Sequence, residues 1–279
     1  MSYKKVLTIQ DISCVGQCSL TVALPILSAC GMETCVLPSA VLSTHTGGFK
    51  GYTFRDLTDD MPDIRKHWES EGIMFDAVYT GYLGSTKQID YVCDIIGSRI
   101  SEGGLKVVDP AMADRGKLYY GFDMEFVAAM ARLCCEADIV LPNITEAAFI
   151  TGLEYREEYD EAYILSLLEA MTKMGMKTIV LTGVSYDPAY TGVVIYKAGE
   201  LQYYRHKKLS VSSHGTGDVY ASAFTGALLR GFSEYDSAKI AADYVVRCIA
   251  NTMDDKAHWY GVKFETAIPE LIKDLGLIK

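Results

Sequence analysis

No run of about 18 apolar residues occurs in this 279-residue chain, so nothing in it reads as a helix that crosses a bilayer. The apolar stretch 6–9 behind the basic start is too short for a secretory leader and gives way at once to Gln10 and Asp11; a reducing, cytoplasmic setting is expected. Positive charge is scarce. Lys and Arg number 26 against 36 Asp and Glu, and the formal net charge of −10 opposes encounter with nucleic acid or an anionic membrane. A small nucleotide is not excluded by that excess, because backbone N–H groups, a metal ion and one or two side chains can hold a phosphate locally. The eight cysteines include no paired CxxC, and the five histidines offer no matching pair at metal spacing near Cys14 and Cys18. Zinc is therefore not expected, and the thiols read as buried and free. Also missing are a GxxxxGK string followed by Ser or Thr and a GxGxxG after the first strand, which argues against P-loop and dinucleotide-binding readings. With no internal repeat, low-complexity tract or linker, one unit over residues 1–279 is expected.

What is present is a regular alternation. Residues 6–12 read as a buried strand, 19–30 as a helix stopped by Gly31, and 33–37 as the next strand, followed by a polar, glycine-bearing loop over 39–52. The unit recurs as strand 75–79, turn 80–85 and helix 86–100, then strand 105–108, helix 122–135 and strand 139–141. Helix 162–174 and strand 178–181, ending at Thr182 and Gly183, precede a hairpin of 192–196 with 202–205 around Gly199. Two helices close the chain, one entered at Gly217 and one presenting Ala238, Ala241, Val245, Cys248 and Ile249 on a single face. Such alternation predicts an α/β fold with a mostly parallel sheet covered on both faces, and polar residues at the strand C-termini become site candidates.

After the polar run 210–214 come Gly215, Thr216, Gly217 and Asp218, then a small, apolar helical stretch over 219–229. Glycines at a helix entrance let successive N–H groups converge on one point, where the helix dipole adds positive potential. A carboxylate beside such an anion hole suits phosphoryl transfer to a hydroxyl, with Asp218 taking the alcohol proton. The plain alternative is a tight turn whose acid favours the dipole. Asn143 and Glu146, three apart behind a strand, read either as a helix capping box or as a Mg²⁺ site acting through water. Asp109 before Pro110 either caps a loop or faces metal and phosphates. Thr182 and Gly183 either approach a nucleotide or make a simple turn. Tyr82, between Gly81 and Leu83, either stacks on a flat ring or fills the core under a turn. His45 and Thr46 stand beside Gly47 and Gly48 in a loop, where polar groups tend to meet ligands.

Taken together these strings resemble the ribokinase-like superfamily, and within it the pyridoxal kinases, over essentially the whole chain. Gly215 to Asp218 is similar to the GxGD motif, and Asn143 to Glu146 to the NxxE motif. The narrower likeness rests on Ile9 and Gln10, on Ser43 to Thr46, on Thr80 to Ser85 and on Asp109 to Met112. The resemblance implies a three-layer α/β/α fold and ATP-dependent phosphorylation of the 5′-hydroxymethyl group of vitamin B6 vitamers. It implies Asp218 as base in the Gly215–Gly217 anion hole, with Asp11, Thr46, Gly47 and Tyr82 around the pyridine ring. Asp109, Leu141, Asn143, Glu146, Thr182 and Gly183 would face ATP, and Asp109 and Glu146 the metal. Mg²⁺, often helped by K⁺, and a homodimer are further implications. Asp11 departs from the serine usual in the family. A carboxylate there accepts from a hydroxyl or pairs with an amine, which favours pyridoxine or pyridoxamine at least as much as pyridoxal. The rival readings are a hydroxymethylpyrimidine kinase of the same fold and a non-catalytic vitamer-binding protein.

Overall fold

The apolar run that opens the chain becomes β1 (Lys5–Ser13), which lies inside a nine-stranded sheet and is buried at most positions. The computed structural model describes residues 3–209 and 214–278. Behind β1 follow α1 (Leu20–Ala29), β2 (Glu33–Leu42), β3 (Phe54–Asp56), α2 (Met61–Ser70), β4 (Phe75–Thr80), α3 (Thr86–Arg99) and β5 (Ile100–Val108). A small hairpin, β6 (Ala113–Asp114) with β7 (Lys117–Leu118), leads to α4 (Met124–Glu136), β8 (Ile139–Val140), α5 (Ile144–Thr151) and α6 (Glu161–Lys173). The rest comprises β9 (Thr178–Asp187), β10 (Tyr190–Lys197), β11 (Glu200–Lys207), α7 (Thr216–Leu229), α8 (Glu234–Thr252), a 3-10 turn (Phe264–Ala267) and α9 (Ile268–Asp274).

Across the sheet the order is β11-β10-β9-β8-β5-β4-β1-β2-β3. Strands β2, β1, β4, β5, β8 and β9 pair in parallel, whereas β3 and β10 run against their neighbours. From β1 the chain moves outward to β2 and β3, then returns to place β4 on the other side of β1. Such a reversal opens a crevice beyond the C-terminal ends of the two strands, the usual place for a ligand in an α/β sheet.

Side-chain alternation along β1 explains why the run is continuously apolar. Leu7 and Ile9 join the core under α2 to α6, while Val6 joins the core under α1, α7, α8 and α9. Three layers result, as the sequence resemblance implied. Helix starts are chemically marked: Ser85 accepts from Gln88 N–H, Asp123 from Glu125 and Phe126, Asp160 from Tyr163, and Ser233 from Asp236. Among the described residues no helix is long and apolar enough to cross a membrane.

Several boundaries differ from the sequence reading. Residues 39–42 belong to β2, not to a loop, because this stretch pairs with β1 on one side and β3 on the other. Helix α3 stops at Arg99, and Ile100 already pairs with Phe75 in the sheet. Strand β9 does not end at Thr182 and Gly183 but runs to Asp187, held there by the antiparallel β10. Helix α2, absent from the elements read above, fully buries only Met61, with Ile64 and Trp68 packed partly buried against the core. All eight thiols are free, but only Cys30, Cys134 and Cys248 are buried, and Cys14 is exposed.

The close approach of α1 to α7 rests on Gly226, where an added Cβ would lie 2.4 Å from the Cys30 sulfur. Gly226→Ala is therefore expected to lower stability by about 1–3 kcal/mol despite alanine's better helix propensity. In a Cys30→Gly background, which removes both the sulfur and the Cβ that would lie 2.7 Å away, the cost of the same change should largely disappear, which urea unfolding midpoints of the four proteins would show.

Candidate active site

The Gly215–Asp218 turn is shaped by a steric demand. Gly215 has φ 74° and ψ 1°, in the left-handed region, and a Cβ there would fall 1.6 Å from the carbonyl oxygen of Gln17. Gly217 differs: a Cβ on it would meet nothing within 4 Å. Among the described residues no side chain of the N-cap position caps α7, and the space beside Gly217 is open, as an anion cradle requires. Of the polar run 210–214, residues 210–213 lie outside the described residues.

Asp218 sits in the first turn of α7, half-buried, with its carboxylate accepting from the backbone N–H of Ser19. Burial, reinforced by the neighbouring Asp11 carboxylate, pushes its pKa up from 3.8 to about 7. Ser19 itself adopts φ 53° and ψ −136°, a region that non-glycine residues enter at a cost of about 1–3 kcal/mol. Its side chain also donates to Asp11, so one strained residue ties the two carboxylates together.

A cavity of about 700 Å³ opens from this turn. Its wall includes Asp109 just beyond β5, Leu141 just beyond β8, Asn143 and Glu146 at the entry to α5, and Thr182 and Gly183 inside β9. Every residue assigned to the nucleotide side by sequence thus meets Gly215, Thr216, Gly217 and Asp218 around one space. Thr182 is held by its N–H to the Pro142 carbonyl at 2.9 Å, which extends the β8–β9 pairing to the cavity rim. Val245 and Ile249, read from sequence as a core face of α8, line the same cavity with Tyr220 and Ala242 and supply an apolar wall.

Asn143 and Glu146 do form the capping box: Asn143 Oδ1 accepts from Glu146 N–H at 3.0 Å and Glu146 Oε2 from Asn143 N–H at 2.8 Å. Glu146 Oε1 accepts from Met112 N–H at 3.2 Å, and Ala113 N–H also donates to the carboxylate. Even so, burial and the Asp109 charge hold the Glu146 pKa well above the ordinary range. Burial, with Asp218 second, does the same to Asp109. Crowded acidic groups beside a phosphate cradle fit Mg²⁺, which takes one or two carboxylates, phosphate oxygens and several waters. Asp109 and Glu146 are the carboxylates of this wall that fit such a role, Glu146 being already engaged by backbone donors. Among the described residues no group of three or more His, Cys, Asp or Glu could hold a metal unaided.

The ring-side residues lie apart from that cavity wall. A register shift between Gln10 and Ile12 in the β1–β2 pairing marks the position of Asp11, which is buried and accepts from Ser13 Oγ at 2.9 Å. Burial raises its pKa against those donors. Tyr82 is half-buried and stacks on Phe122, with ring centroids 5.6 Å apart. Burial pushes its hydroxyl up to about 12, with the Asp11 charge adding to the rise. Gly47 packs so closely on His214 that a Cβ would lie 2.8 Å from that ring, whereas Thr46 is exposed on the same loop. Sequence reasoning did not single out Ser19, Gln17 or Arg115. Ser19 carries no motif that would betray its strain, and Arg115 joins the cavity wall through the β6–β7 hairpin.

The chain matches the phosphomethylpyrimidine kinase family over residues 27–262. It is 25% identical over 265 residues to the pyridoxine/pyridoxal/pyridoxamine kinase of Bordetella avium, covering 88% of this chain and 85% of that protein. The crystal structure of pyridoxal kinase from Lactobacillus plantarum superposes with a TM-score of 0.90 at 32% identity, over 98% of both chains. A Bacteroides thetaiotaomicron protein assigned to the phosphomethylpyrimidine kinases and crystallised with pyridoxal gives a TM-score of 0.90 at 35% identity, over 97% of this chain and 96% of that one.

The two glycines of the turn should respond differently to alanine. Gly215→Ala is expected to destabilise the protein by about 1–3 kcal/mol or more, because positive φ and the Gln17 carbonyl both oppose it. Gly217→Ala should leave stability unchanged or raise it by up to about 1 kcal/mol, as helix propensity dictates, while weakening phosphate binding in the cradle. Thermal unfolding alongside ADP titration would separate the two effects.

Proposed function

The chain belongs to the phosphomethylpyrimidine kinase family, an ATP-dependent phosphotransferase family, and from that premise we propose that it phosphorylates the 5′-hydroxymethyl group of vitamin B6 vitamers. The observation that carries this reading is the position of Asp218. It lies between the cavity lined by Asp109, Glu146, Thr182 and the glycine turn on one side and Asp11, in reach of Tyr82, on the other. In that arrangement ATP occupies the cavity with its phosphates at the N-terminus of α7, and the vitamer ring lies toward Asp11, Thr46, Gly47 and Tyr82. Asp218 accepts the proton of the hydroxymethyl group as its oxygen attacks the terminal phosphorus, and the N–H groups of the turn stabilise charge on the transferred phosphoryl oxygens. A base with a pKa near neutrality is well matched to that task. Asp109 and Glu146 would hold Mg²⁺, which would neutralise phosphate charge. Tyr82, backed by Phe122, offers one flat face to an aromatic ring.

The pyridoxal found with the Bacteroides relative supports a pyridine acceptor. The family description favours a second reading, hydroxymethylpyrimidine phosphorylation, through the same hydroxymethyl chemistry. Residues 1–279 act in this proposal as one kinase unit in a homodimer, with K⁺ assisting Mg²⁺. Retention of Asp218 in its glycine turn speaks against a purely binding role.

Asp218→Asn should lower kcat by about 10²–10⁴ while leaving ligand affinity in place. Because the base acts ionised, the parent's rate should fall as the pH drops through about 7 and rise to a plateau above it. Near-normal turnover in the variant would remove Asp218 from the mechanism. A substrate panel decides the acceptor: kcat/KM for pyridoxal, pyridoxamine and pyridoxine should exceed that for hydroxymethylpyrimidine, and the opposite order would favour the second reading. Within the panel, Asp11 should make pyridoxine or pyridoxamine at least as good as pyridoxal, and Asp11→Ser should move the preference toward pyridoxal. A strong pyridoxal preference in the parent would overturn the role given to Asp11.

A further inference from the structure

His45 stands next to Thr46 in the loop assigned to the vitamer ring, yet its own ring is turned inward and buried. Both nitrogens are occupied by backbone. Nδ1 lies 3.0 Å from the N–H of Gly47, which can only donate, and Nε2 lies 2.8 Å from the carbonyl oxygen of Tyr260, which can only accept. These partners define the ring as the neutral Nε2–H tautomer and leave neither nitrogen for a ligand.

The same carbonyl of Tyr260 also accepts from Gln17 N–H at 3.4 Å, so the loops after β1, β2 and α8 meet at one oxygen. Glycines make that meeting possible. The absent Cβ of Gly16, at φ 120°, would lie 2.1 Å from the His45 ring, and that of Gly261, at φ 157°, would lie 2.3 Å from the Gln17 side chain. Gly48 is filled in the same way by Trp259, at 2.8 Å, and Trp259 packs on Phe49 with centroids 4.6 Å apart. Phe49 in turn meets the His45 ring edge-on at 5.0 Å. Through Gln17, whose carbonyl abuts Gly215, and through Gly47, which abuts His214, this clasp reaches the turn that carries Asp218.

We propose that His45 is a positioning residue: its neutral ring clasps the loop over 43–51 to the Tyr260 carbonyl and thereby holds the ring-side wall against the Gly215–Asp218 turn. The kinetic part of this inference rests on the reading of that wall as the acceptor side. Loss of the clasp should loosen acceptor binding far more than nucleotide binding, because His45 itself is absent from the nucleotide cavity wall and reaches it only through Gln17 and His214.

Three variants test it: His45→Ala removes both bonds, His45→Gln keeps an N–H donor for Tyr260, and Gly16→Ala displaces the ring by occupying its space. In His45→Ala, KM for the vitamer should rise about tenfold or more while KM for ATP stays within about twofold, the effect expected of a lost buried hydrogen bond felt at one substrate only. His45→Gln should recover part of the loss. Hydrogen exchange of the unliganded protein should show faster exchange at the Gly47 and Gln17 amides in His45→Ala and Gly16→Ala. Unchanged exchange at Gly47 in both variants would overturn the clasp, as would equal rises in KM for both substrates. If the parent phosphorylates no vitamer, the functional reading fails, and the exchange measurement still decides the clasp.

Discussion

The contact on which the site depends is that between Gly215 and the carbonyl of Gln17, a backbone-to-backbone approach that leaves no room for a Cβ. It docks the start of α7 onto the loop that leaves β1, and so brings a helix from late in the chain to the end of the sheet's inner strand. Once docked, the first turn of α7 lines the cavity with Thr216, Gly217 and Asp218 and places Asp218 within reach of the Ser19 N–H. The left-handed φ at Gly215 and the strained backbone of Ser19 are the two sides of this junction. Strain of that kind persists where the surrounding packing over-determines it, and here α1 and α7 are packed against each other behind it.

Electrostatics divides the neighbourhood into two halves with different needs. On the cavity side burial raises the proton affinity of both Asp109 and Glu146, with the Asp218 charge adding to it at Asp109 and the Asp109 charge at Glu146, a repulsion that a divalent cation with its phosphates would relieve. Across Asp218 the charge is softer: Asp11 is buried but stabilised by the Ser13 and Ser19 hydroxyls. Asp218 is raised chiefly by burial, opposed by the Ser19 N–H and helped by Asp11, which leaves it near neutrality instead of locked in either protonation state. In the proposed reaction this is the residue that must change protonation during a turnover, and it is the one whose environment permits it.

Particular residues show how far a sequence reading carries. The alternation of strands and helices was legible because each buried strand needs an apolar run and each covering helix an apolar stripe, and these are local patterns. Gly215 to Asp218 and Asn143 to Glu146 were legible for the same reason: N–H convergence and helix capping are chemistry within a few residues of chain. By contrast, the last residues of β2 looked like a loop because their order comes from β1 and β3, which are distant in sequence. Strand β9 outran its apparent end at Gly183 because β10 pairs with it beyond that point. Val245 and Ile249 showed an apolar face on a helix, but whether that face met the core or a cavity depended on what packed opposite.

The amino-acid sequence by itself therefore determined the fold class, the glycine turn with its acid and the capped entry to α5, since each follows from local periodicity or from stereochemistry at one position. Only the tertiary structure decided which carboxylates face one another, that Asp218 sits close to neutrality, that Thr46 is exposed while His45 turns inward, and that Ser19 is strained. The physical reason is that burial, charge coupling and steric fit are properties of pairs of residues far apart along the chain, and their strength is set by distances that no local pattern encodes.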